Sequence, residues 1–88
     1  MDVIINDYPQ QARWVITKRA TVAGLQENFR TSITNKGQYY PPGVQPQKGQ
    51  ERKMFLALEA QVELDLRNCY AECLRLLNET TLGSANRR

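Results

Sequence analysis

VIINDYPQQARWVIT, residues Val3 to Thr17, decides how the rest of the chain is read. Val3-Ile4-Ile5 is a short β-branched run and reads as a buried strand. Asn6-Asp7 is turn-prone and offers a helix N-cap. Pro9 suits a first helical turn, where its missing N–H costs nothing. Ala12, Val15 and Ile16 then recur at helical spacing, which predicts a brief helix ending near Thr17. Lys18 and Arg19 follow at once. A strand that feeds a helix tipped with positive charge is a way to hold a nucleic-acid backbone.

Working outward, Val22, Leu25 and Phe29 share one face of a second helix over about Thr21 to Phe29, with Thr21 as its cap. Gly24 inside it costs about 1 kcal/mol relative to alanine, or else permits close packing against a neighbour. Ser32 to Lys36 reads as a strand that continues past Gly37 toward Tyr40. Residues 41–50 form a Pro/Gly loop, because prolines remove donors and both residue types break periodicity. Arg52 to Glu59 is the clearest strand, with Met54, Leu56 and Leu58 on one face and Phe55 and Ala57 on the other. A final helix is predicted from about Ala60 to Glu79. Its apolar stripe is Val62, Leu66, Cys69, Cys73 and Leu76, and Glu63 and Arg67 form an i, i+4 pair. Residues 80–88 carry no packing signal and read as a flexible tail beyond one domain of residues 1–79. A three-stranded sheet covered on one face by three helices satisfies every apolar stripe, so the fold class is α+β.

The bulk numbers bound the function. Eighty-eight residues make one domain with a modest core. No apolar run approaches the ~20 residues of a membrane span, and the N-terminus lacks the pattern of a secretory signal. The net charge is +3 and uneven. Residues 1–53 hold eight Lys/Arg against four Asp/Glu, whereas residues 54–79 hold two against five. A basic front half can steer a polyanion to one face, although an ordinary mixed surface competes with that reading. Cys69 and Cys73 are the two cysteines, and there is no histidine. They share a helical face, but a zinc site needs two further ligands and an intrahelical disulfide is geometrically poor. They read as small buried apolar side chains in a reducing compartment. No catalytic constellation, cofactor motif or metal-binding run emerges.

The element order is strand, helix, helix, strand, loop, strand, helix. Together with Asn6-Asp7-Tyr8-Pro9, Ala12-Arg13-Trp14, Gly37, Tyr39-Tyr40-Pro41-Pro42 and Arg52-Lys53, it resembles the eukaryotic type of KH domain. More narrowly, it looks like a degenerate KH-like module near the C-terminus of DEAD-box RNA helicases that act in early spliceosome assembly at branch-site recognition. That resemblance implies a nuclear, non-catalytic module that holds single-stranded RNA weakly, or contacts a spliceosomal protein, with any ATPase motor outside these residues. KH domains usually grip the RNA backbone with a GxxG loop between the first two helices, where glycine lets phosphates approach main-chain N–H groups. Here that place is occupied by Thr17-Lys18-Arg19-Ala20, which has no glycine. Side-chain charge would replace the cradle, giving a looser and more salt-sensitive contact.

The candidate nucleic-acid-binding residues are therefore Thr17, Lys18, Arg19, Arg30 and Lys36, and solvated surface positions are the alternative for each. Trp14 sits among apolar residues and is expected in the core rather than stacked on a base. Tyr39 and Tyr40 are expected to pack on the prolines. Arg13 either projects toward the groove or pairs with Asp7 or an acid of the last helix. If the missing glycines have ended RNA binding, the groove, the sheet face with Phe55 and Ala57, or the Pro-rich loop would serve a protein partner. A structural spacer without a ligand is the third possibility.

Overall fold

A computed structural model describes residues 1–86 of the chain. The elements run β1 (Asp2–Ile4), α1 (Gln10–Thr17), α2 (Arg19–Phe29), β2 (Ser32–Lys36), β3 (Phe55–Glu59) and α3 (Glu63–Asn86). The sheet is antiparallel in the order β1-β3-β2. This is the α+β arrangement that the apolar pattern predicts.

Strand alternation assigns the faces. Val3 lies opposite Leu56, Ile33 opposite Leu58, and Asn35 opposite Leu56. These residues look toward the helices, where Ala12, Ile16, Leu25, Cys69, Cys73 and Leu77 complete the core. Ile4, Phe55, Ala57, Thr34 and Lys36 take the other face. That face is not an open apolar patch at Phe55, which is only 7% exposed. The Arg52 guanidinium lies 4.1 Å from the Phe55 ring centroid and also pairs with Asp2 at 3.3 Å.

The helix ends differ from the sequence expectations for identifiable reasons. Pro9, rather than Asn6 or Asp7, holds the N-cap position of α1, and its carbonyl accepts from the Arg13 N–H at 3.0 Å. The Asn6 side chain is engaged elsewhere, on the main chain of Tyr40. α2 starts at Arg19, not Thr21, with Lys18 as its cap residue and no side-chain cap bond. Gly24 makes no close approach, since a Cβ there would meet nothing within 4 Å. β2 stops at Lys36. Gly37 turns the chain, and only an isolated bridge joins Gln38 to Lys53.

α3 begins at Glu63, which leaves Val62 exposed, and continues to Asn86 rather than ending at Glu79. Thr80 and Thr81 support the extension, each donating its hydroxyl to the carbonyl four residues back at 2.8 Å. Of the expected tail, Arg87 and Arg88 lie outside the described residues. The Glu63–Arg67 pair forms at 3.6 Å. Further along, Arg75 bridges Glu72 and Glu79, and its guanidinium holds the Glu72 carboxyl below the usual range.

Cys69 and Cys73 are free, buried thiols. Burial pushes Cys73 up to about 12 from 9.0, with Cys69 adding to the effect. Burial also raises Cys69. The folded Cys73 thiol thus keeps its proton where the unfolded one has lost it. Above the unfolded value the unfolded state binds fewer protons, so this contribution to stability is complete below about pH 9 and is lost as pH rises toward 12. A thiolate-specific reagent at pH 8 should label both cysteines only after denaturation. Fast labelling of the native protein at either position would contradict this burial.

Candidate nucleic-acid interface

α1 presents two stripes. Ala12 and Ile16 face the core, and Gln10, Arg13, Trp14 and Thr17 follow an i, i+3, i+4, i+7 spacing around the opposite side. The second stripe borders a hollow of about 340 Å³, lined by Gln10, Arg13, Trp14, Thr17, Asn35 and Met54. A second hollow of about 330 Å³ continues past it between α2 and β2. Thr17 and Asn35 belong to both, and Arg19, Val22, Ile33 and Leu56 line its far side. Together they make one groove walled by α1 and α2 on one side and by β2 on the other.

The wall is fixed by local geometry. A single non-helical residue, Lys18 (φ −59°, ψ 139°), separates α1 from α2 and serves as C-cap of one and N-cap of the other. Its N–H donates to the Val15 carbonyl at 3.3 Å, and its carbonyl accepts from Val22 at 2.9 Å. On the opposite wall, the Gln26 side-chain oxygen accepts from the Ile33 N–H at 2.9 Å and ties α2 to β2. Arg13, Lys18 and Arg19 stand along the groove or at its edge. Among the described residues, no carboxylate lines either hollow.

The KH-domain family model matches residues 1–77. The chain belongs to the KH-domain family. Its relatives include the pre-mRNA-processing ATP-dependent RNA helicases PRP5 of Pyricularia oryzae (46% identical) and Chaetomium globosum (45% identical), and prp-5 of Neurospora crassa (46% identical). Each alignment covers 93% of this chain but only 7–8% of the relative, so the KH domain spans less than a tenth of those helicases. The comparisons do not support a position near the helicase C-terminus. No solved structure matches the chain.

Within the KH domain, three of the five candidate residues come together. Thr17 joins the two hollows, Arg19 lines the second, and Lys18 sits between the helices. Arg30 is not brought to this groove. It is the C-cap of α2 in the left-handed conformation (φ 51°) and borders a separate hollow with Ser32, Glu59, Ala60 and Gln61. Lys36 lies opposite Phe55, on the sheet face turned away from the helices. Alternation along β2 carries this information, since Lys36 is an odd number of residues from Ile33.

Trp14 is the main correction: it is 66% exposed, with the Lys18 ammonium 5.0 Å from its ring. Helical period gives the reason. Trp14 is two residues from both Ala12 and Ile16, about 200° around the helix from each core contact. Arg13 takes neither acidic partner considered for it. It donates to the Tyr8 carbonyl at 2.5 Å and stacks 4.1 Å from the Tyr39 ring centroid. It also borders a third hollow of about 520 Å³, whose lining includes Tyr39, Tyr40 and Pro42. Tyr40 is buried and donates its hydroxyl to the Glu51 carbonyl at 2.8 Å.

Proposed function

We propose that this KH domain is a non-catalytic module of a pre-mRNA-processing RNA helicase or a relative, and that it holds single-stranded RNA in the α1–α2–β2 groove. The observation that carries the reading is a groove with cations at its edge and no carboxylate in its lining. Apolar walls such as Val22, Ile33 and Leu56 suit bases, while Lys18 and Arg19 suit phosphates. The relatives named above are pre-mRNA-processing helicases, which supports RNA as the ligand and the nucleus as the place of work. With one non-glycine residue between the helices, contact relies on side-chain charge, so binding is weak and salt-dependent.

The test is a titration with short single-stranded RNA at low and physiological salt, followed by backbone chemical shifts. Shifts should cluster at residues 17–20 and 33–35. The Lys18→Glu/Arg19→Glu double variant should bind at least about 10-fold more weakly at low salt. Its salt slope should flatten by about 1.4, the value for two lost single-strand phosphate contacts. Unchanged affinity would remove Lys18 and Arg19 from the site.

One observation favours a second reading. The glycine cradle is absent, so the same groove is suited to a protein of the splicing machinery. Capture of such a protein from nuclear extract after nuclease treatment would favour it, and loss on nuclease treatment would favour RNA.

A further inference from the structure

Trp14 is the largest exposed aromatic side chain described, 66% open to solvent with the Lys18 ammonium over its ring. Its indole borders the first hollow of the groove, between Gln10 and Arg13 on its own helix and Asn35 and Met54 across the gap. Positive charge is close by: Arg13 lines the same hollow, with its guanidinium on the Tyr8 carbonyl and the Tyr39 ring, and the Lys18 ammonium lies 5.0 Å from the indole.

We propose that Trp14 is a base-stacking platform. One unpaired base of a single strand lies against the indole face, while Arg13 and Lys18 meet the phosphates on either side of it. The inference rests on the RNA reading of the groove and names the contact that anchors the strand there. Every base has a π-face, so stacking tolerates sequence and needs no close main-chain approach. It therefore supplies short-range affinity where the junction of Thr17, Lys18, Arg19 and Ala20 has no glycine.

The chemistry of the hollow favours a base over an apolar peptide. Gln10 and exposed Asn35 offer amide donors and acceptors that match a base edge. An apolar side chain would leave these amides, once desolvated, without partners. The flanking cations and the absence of carboxylates from the lining select for a polyanion.

Trp14 is the single tryptophan of the chain, so its fluorescence reports the site directly. The 88-residue chain would be titrated at low salt with oligouridylate and with an abasic ribose-phosphate strand of equal length. Oligouridylate should quench the emission and the abasic strand should not. Trp14→Ala should lower affinity for oligouridylate by about 5- to 150-fold, the range of one base–aromatic stack, and Trp14→Phe should recover most of it. Because the ring is exposed, Trp14→Ala should melt at nearly the parental temperature, which separates lost binding from lost folding. Groove shifts without quenching, and with unchanged Trp14→Ala affinity, would overturn the stacking platform while leaving the RNA groove standing. Equal quenching by the abasic strand would also overturn it. No shifts and no quenching at millimolar RNA would overturn both.

Discussion

Gly37→Ala should cost about 3–4 kcal/mol of folding stability. Gly37 has φ +83°, and a Cβ built there falls 2.7 Å from the Lys53 carbonyl oxygen and 2.8 Å from that of Arg52. A left-handed backbone costs a residue with a β-carbon about 1–2 kcal/mol. The two oxygens belong to the main chain leading into β3, so no rotamer change relieves the contact. Pushing the segments apart also endangers the bond from the Gln38 N–H to the Arg52 carbonyl at 2.9 Å, with a net value of about 1 kcal/mol. For a domain of this size the midpoint should fall by roughly 12 °C or more. Gly43→Ala is the matched comparison, because its φ is +84° with nothing within 4 Å of the added carbon. It should lose only the backbone share. Equal losses at the two positions, measured by urea unfolding, would show that the approach of residues 52–53 to Gly37 is not tight.

Asn6→Ala should cost about 2–4 kcal/mol. Asn6 is 2% exposed, and its side-chain amide closes a two-bond clamp on Tyr40. Nδ2 donates to the Tyr40 carbonyl at 3.0 Å, and Oδ1 accepts from the Tyr40 N–H at 2.8 Å. These bonds join the entrance of α1 to the start of the Pro/Gly loop, 34 residues away. Alanine leaves two buried main-chain groups without partners, at about 1–3 kcal/mol each before relaxation. Asn6→Asp should not rescue the loss. The carboxylate keeps an acceptor for the N–H but turns a second oxygen toward the carbonyl. Hydrogen exchange at the Tyr40 amide is the local readout, and retained protection in Asn6→Ala would refute the clamp.

Much of this architecture is legible in the chain because its period is local. Leu56 and Leu58 alternate with Phe55 and Ala57 as a strand requires, and Cys69 and Cys73 take the buried spacing of a helix. Helix starts are less legible. Thr21 is a good cap by chemistry, yet the turn at Lys18 is so short that α2 begins before Thr21 is reached. Trp14 is misread from composition, since apolar neighbours in sequence are not neighbours around a helix. Arg30 and Lys36 flank β2 in the chain, but the left-handed cap and strand alternation carry them away from the groove. The union of Asn6 with Tyr40, and of Gly37 with residues 52–53, is set by long-range packing that no local pattern encodes.

β3 is the middle strand of the sheet and the last of the three in the chain. β1 and β2 do not pair with each other, so neither has a strand partner until residues 55–59 arrive. The bond from the Met1 ammonium to the Leu58 carbonyl closes a span of 57 residues. Without residues 55–59, then, the preceding part of the domain has helices to form but no sheet to join. The entropy of closing these long loops must be met before the native pairing rewards it, which slows folding relative to a helical bundle of equal length. Order should appear in one concerted step once the middle strand docks, and a chain cut before it should keep no cooperative unfolding transition.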